Sequence, residues 1–251
     1  MNHGRTTGAT LALLLGLASP AWAQGEGVEG KADEFFLGEE ATPNQKQEVE
    51  AGSGLEWEQQ DGESSFTLPL HVEYGLSDRF QLQGEAELVP QGEDPGLDGG
   101  RVGARWALIN DGERSLAVSA GAEVLATRDE PGTSLRPGVS PFLLAYKDFG
   151  RVGVNASAGL ELLPDSGDRD GTVHPDLGMA VLLDAGAVRP MFEAAWRNEQ
   201  GTNTGILSPG LLVEPVKSLQ VGVSVPVRLG SDGQQSVGVG AMLTWSGGGG
   251  S

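Results

Sequence analysis

The chain has 251 residues, no cysteine, and a formal net charge of -19 from 16 Lys and Arg against 35 Asp and Glu. Without cysteine there are no disulfides, no thiol catalysis, no thiolate metal site and no lipid-modified N-terminal cysteine. The acidic balance argues against nucleic acid as a partner and against docking on an anionic lipid surface, because both need clustered Lys and Arg.

Arg5 lies in a short polar stretch, followed by an apolar run from Ala9 to Ala18 that contains Leu11, Leu13, Leu14, Leu15 and Leu17. Ser19-Pro20 ends the run, and Ala21-Trp22-Ala23 has the small-x-small pattern of a cleavage site. The run is too short for a membrane-spanning helix, which needs ~20 apolar residues. Residues 1–23 therefore read as a signal peptide cleaved before Gln24. Residues 24–45 show no periodicity and are polar apart from Phe35, Phe36 and Leu37. They read as a flexible periplasmic leader, with a small plug folded into the following domain as the alternative.

From residue 46 the hydrophobic period is two. Phe80, Leu82, Gly84, Ala86 and Leu88 alternate with Gln81, Gln83, Glu85 and Glu87. Val152, Val154, Ala156, Ala158 and Leu160 alternate with Gly153, Asn155, Ser157 and Gly159. Strands with one apolar and one polar or small face follow from this period. Segments of roughly ten residues parted by turn residues suit tilted strands that cross a bilayer. Twelve are predicted, near 46–59, 64–75, 79–89, 99–109, 114–126, 138–147, 151–163, 175–185, 188–198, 205–215, 218–229 and 235–245. The expected fold class is all-β, a transmembrane antiparallel up-and-down barrel over 46–245. A soluble β-sandwich is the rival reading.

The links favour the barrel. Residues 75–78, 110–113, 148–150, 185–187 and 215–217 are tight, while Pro90–Asp98, Thr127–Pro137, Pro164–His174 and Glu199–Thr204 are mostly longer and rich in Asp, Glu, Gly and Pro. Short periplasmic turns opposite longer outer loops are usual in outer-membrane barrels. Trp57, Phe66, Tyr74, Phe80, Trp106, Phe192, Trp196 and Trp245 fall on the outward parity, as interfacial girdles require. Ser246 to Ser251 read as a flexible Gly/Ser tail outside the fold.

Inward parity collects the charges. Glu48, Glu50, Glu56, Glu58, Glu73, Glu85, Glu87, Glu123, Glu161, Asp184, Glu193 and Glu214 face Arg101, Arg105, Arg189, Arg197 and Arg228. The candidate site is a lumen-lining cluster of Glu73, Glu85, Glu87, Arg101, Arg105 and Glu123. Matching parity across the links 90–98 and 110–113 places Arg101 opposite Glu87 and opposite Glu123. Such charges either pair and fill the interior or line a narrow aqueous path.

Enzymatic signals are weak. The histidines are His3, His71 and His174, and no Gly-x-Ser-x-Gly, His-Glu-x-x-His or Walker loop occurs. His71 reads as a polar lumen residue and His174 as a solvated loop residue. The acidic stretch Asp165 to Gly171 lacks the spacing of an EF-hand loop. Neither a cofactor nor a catalytic site is expected.

The hairpin Ser65-Phe66-Thr67-Leu68-Pro69-Leu70-His71-Val72-Glu73-Tyr74-Gly75-Leu76-Ser77-Asp78-Arg79-Phe80 resembles that of a family of outer-membrane transporters associated with the meta-cleavage pathway of phenol degradation. The segments Glu50–Glu58 and Arg101–Leu108 are similar to the same family. The resemblance implies an outer-membrane barrel and a link to aromatic compounds, and it carries no catalytic motif. The expected location is the outer membrane. The expected partners are its lipids and lipopolysaccharide, the barrel-assembly machinery and an unknown small solute. The leading expectation is a passive channel or transporter for small solutes. The alternative is a non-transporting barrel with an envelope-structural or surface-interaction role.

Overall fold

The computed structural model describes residues 36–37, 39–60, 62–90, 95–128, 134–165, 170–199 and 201–248. The predicted signal peptide, leader residues 24–35 and tail residues 249–251 lie outside them.

Period-two alternation yields strands throughout. In chain order they are β1 (Glu48–Gln60), β2 (Glu63–Ser77), β3 (Phe80–Val89), β4 (Gly96–Asp111), β5 (Leu116–Thr127), β6 (Arg136–Asp148), β7 (Val152–Leu163), β8 (Thr172–Leu183), β9 (Val188–Glu199), β10 (Thr202–Val216), β11 (Leu219–Ser224), β12 (Val227–Gly230) and β13 (Gln235–Gly248). Neighbours pair antiparallel, and β1 pairs with β13 from Glu48↔Gly248 to Gln60↔Ser236, which closes the sheet. β11 and β12 are two halves of one stave, because both lie between β10 and β13. The predicted strand 218–229 is thus interrupted at Val225-Pro226. Proline has no N–H to give the ladder. The gap is spanned by Val225 N to the Pro209 carbonyl at 3.0 Å and Gly238 N to the Pro226 carbonyl at 2.8 Å. The barrel therefore has twelve staves and no free sheet edge.

Burial is inverted relative to a water-soluble protein. Gln81, Arg105, Ser119, Glu193, Gln220 and Thr244 are buried inside, while Val102, Trp106, Val124, Leu177, Val239 and Trp245 are exposed on the outside. A soluble monomer rarely exposes an apolar patch beyond a few hundred Å², so this surface belongs against lipid. Among the described residues no helix is long and apolar enough to cross a membrane, and a closed barrel of strands is the other structure that can. Tyr74, Phe80, Trp106 and Trp245 gather toward one rim. There Phe80 and Trp106 are register partners, with ring centroids 6.1 Å apart and planes at 78°.

Three expectations change. Ser246, Gly247 and Gly248 belong to β13, paired with Glu50, Val49 and Glu48, because β1 needs a partner along its whole length to close the sheet. The loop asymmetry is partial. The links 90–95, 128–135 and 164–171 are long, yet β1–β2 and β9–β10 at the same end turn within two residues around Gly62 and Gly201, both at positive φ. The third change concerns the leader, which from residue 36 lies inside the barrel.

Candidate functional site

The chain reaches the lumen over the rim where β1 starts. Gln47, at φ 65°, donates its N–H to the Gly75 carbonyl at 2.7 Å. A Cβ on Gly75 would lie 1.9 Å from the Gln45 carbonyl oxygen, so this crossing requires glycine. Beyond it, wall side chains grip the backbone of the segment. Gln81 Oε1 accepts from Asn44 N at 2.7 Å, Ser119 Oγ donates to the Ala41 carbonyl at 2.6 Å, and Asn155 Nδ2 donates to the Glu39 carbonyl at 2.6 Å. Arg105 donates to the Glu40 carbonyl, and Glu193 Oε1 accepts from Leu37 N at 2.8 Å. These anchors lie on β3, β5, β7, β4 and β9, so the segment crosses the lumen from wall to wall.

Apolar contacts complete the seat. Ala41 is fully buried with Ala117, Leu144 and Tyr146, and Phe142 packs against them. Phe36 packs on Ala180, Leu182, Met191, Leu212 and Met242 on the other wall. Gly222 and Gly240 make room for it, since a Cβ on either would stand 2.9 Å or 3.2 Å from its ring. The described residues 36–37 and 39–45 therefore sit in the lumen as a plug.

The predicted charge cluster surrounds the plug, with altered partners. Arg101 Nε lies 2.8 Å from Glu85 Oε2, its register partner, and Arg101 Nη1 lies 3.4 Å from Glu123 Oε2. Glu87 is opposite Gly99, so the expected Glu87–Arg101 pair is replaced by Glu85–Arg101. The link sets Val89 opposite Gly96, out of phase with the expected register, and a bulge that leaves Asp98 as an extra residue on β4 restores matched inward parity two residues away from it. A second bulge leaves Leu108 and Ile109 both facing outward and puts Glu123 opposite Gly103, so Arg101 reaches Glu123 diagonally. Arg105 is 2 % exposed and lies 3.6 Å from Glu39 and 3.5 Å from Glu73. Glu73 also accepts from Asn44 Nδ2 at 3.2 Å. Gln83 Nε2 donates to Glu39 at 3.0 Å and to Glu123 at 2.9 Å. Gln81, Gln83, Ser119 and Asn155 hold the plug from the wall and are absent from the sequence-based set. Their signal was amide and hydroxyl groups on the inward parity.

His71 faces inward, 3.9 Å from Glu50, and His174 lies 3.8 Å from Glu161. The acidic loop at 165–171 falls largely on residues outside those described. Among the described residues no group of three or more His, Asp or Glu converges as a metal site.

No family model matches the chain, and no curated protein matches it. Solved structures do. An outer membrane channel from Pseudomonas putida F1 superposes with a TM-score of 0.64 at 12 % identity, over 82 % of this chain and 98 % of that one. The NanC porin gives 0.57 at 10 % identity, over 75 % and 98 %. The KdgM porin gives 0.54 at 12 % identity, over 76 % and 97 %. At these identities the likeness is one of fold: a closed antiparallel barrel shared with porins and channels.

Proposed function

We propose that this protein is an outer-membrane channel for passive movement of small solutes, narrowed by its own N-terminal segment. The carrying observation is a closed barrel whose polar lumen is crossed by residues 36–45, held through hydrogen bonds from the wall. The fold shared with channels and porins supports this reading. The seat of Phe36 bears on the solute. A phenyl ring already occupies an apolar recess inside the lumen, between Leu182, Met191, Leu212 and Met242. Small aromatic or apolar solutes suit that recess once the ring leaves. The resemblance to transporters associated with phenol degradation supports the same class.

The plug also favours a second reading, a sealed barrel with an envelope-structural role. Planar-bilayer recording of the full chain and of a variant lacking residues 36–45 separates the two. The channel reading expects discrete steps from the full chain and larger steps from the variant. Silence from both folded proteins overturns it in favour of the sealed barrel.

A further inference from the structure

We infer that the path through this barrel is selective for small cations, and that the selection is made where the plug meets the wall of β2 to β5. The inference rests on the channel reading. Its first basis is that five of the lumen arginines are engaged. Arg101 lies between Glu85 and Glu123, and Arg105 among Glu39, Glu73 and the Glu40 carbonyl. Arg189 is paired with Glu214 at 2.6 Å, and Arg228 with Glu58 at 3.1 Å. Arg136 is turned onto the carbonyls of Leu163, Pro164 and Asp170. A passing anion would have to displace a carboxylate or carbonyl to reach any of these guanidiniums.

Carboxylates, in contrast, are in surplus. Around the plug junction Glu39, Glu73, Glu85 and Glu123 face Arg101 and Arg105, a formal excess of two negative charges. Above it Glu56 and Glu87 face the lumen, and among the described residues neither is ion-paired. Glu85 and Glu87 are exposed to the lumen, whereas Glu123 is buried.

The second basis is independent of charge. A cavity of about 10 Å³ lies at the junction, lined by Glu39, His71, Glu73, Gln83, Gly84, Glu85 and Glu123. That is close to one water-sized sphere. Gln83 is 9 % exposed, and its amide nitrogen is held by Glu39 and Glu123. Its Oε1 is buried without a hydrogen-bond partner among the described residues. A buried acceptor without a donor is costly, and a cation relieves it where an anion cannot. Conduction needs binding weak enough to release, and a space of about one water-sized sphere admits only a small ion. The ligand class is therefore a monovalent metal ion or a small ammonium ion.

Reversal potentials of the full-length protein in planar bilayers under a KCl gradient test this. The wild type is expected to favour potassium over chloride. A unit charge ~8 Å from a passing ion in water changes its local concentration about twofold to threefold. Glu85→Gln with Glu87→Gln should lower the potassium preference by at least that factor, and Arg101→Ala should raise it by a similar one. The glutamine variants keep side-chain shape at lumen-exposed positions, so they test the idea even if Arg101→Ala does not fold. Gln83→Leu should reduce potassium conductance. A wild type that conducts without selectivity, or prefers chloride, overturns the inference and leaves the channel reading intact. Silence from the wild type and from the variant lacking 36–45 overturns both.

Discussion

Arg105 and Arg189 show how burial sets the worth of an ion pair. Arg105 is 2 % exposed, has Glu39 and Glu73 within salt-bridge distance and donates to the Glu40 carbonyl. Removing it leaves buried acceptors and charge without compensation, so Arg105→Ala should cost about 3–5 kcal/mol. The Arg189 and Glu214 side chains are 23 % and 26 % exposed, so solvent reaches this pair and partly screens it. Arg189→Ala should cost at most about 1 kcal/mol. Urea unfolding in detergent micelles, followed by tryptophan fluorescence, measures both. Equal losses would contradict the difference in burial. At Gly75 the constraint is steric. Gly75→Ala places a methyl on the Gln45 carbonyl, so the plug must lift from the rim. The expected result is faster proteolysis within residues 36–47, with the barrel's β-type circular dichroism retained. Unchanged proteolysis would mean that the rim crossing is not fixed by this glycine.

Strands were legible in the sequence because a wall with lipid on one side and lumen on the other imposes strict alternation, visible without any partner. All twelve staves were found, and so was the inward parity of Glu73, Glu85, Arg101, Arg105 and Glu123. Register was not legible. Bulges at Asp98 and at Leu108-Ile109 each add a residue to one strand of a pair, and nothing local in β4 announces them. The closing pair Val89–Gly96 sets the β3–β4 register and the Asp98 bulge shifts it by one residue, so Glu85 and not Glu87 pairs with Arg101. The plug carries only a faint signal in the sequence for another reason. Its order comes from Gln81, Ser119, Asn155, Arg105 and Glu193 binding its backbone, so its own side chains carry little periodic signal. This makes the plug separable from the barrel. Ser119→Ala with Asn155→Ala removes two wall donors, about 0.5–1.5 kcal/mol each, and should raise open-channel time in planar bilayers. A thiol pair at Ala41→Cys and Ser119→Cys, oxidised, should shorten it, with reduction restoring the wild-type value. Failure of oxidation to change conductance would show that plug movement does not control the path.

At the scale of the whole molecule, closure fixes which ends lie together. An even number of staves returns the chain to the side where it entered, so Glu48 and Gly248 are register partners at one rim. The turns at that rim follow Ser77, Asp111, Asp148, Leu183 and Val216, and the plug enters over it. The long links 90–95, 128–135 and 164–171 lie at the opposite rim. Outer-membrane barrels place their longer loops on the cell surface. The plug rim should then face the periplasm. Because the chain has no cysteine, one introduced thiol reports on one site without background. Gln234→Cys, in the exposed link between β12 and β13, should react with a membrane-impermeant maleimide on intact cells. Glu113→Cys, exposed in the turn between β4 and β5, should react only after the outer membrane is opened. The reverse pattern would invert the barrel and put the plug at the outer surface. Equal labelling of both on intact cells would mean that the barrel does not span the outer membrane.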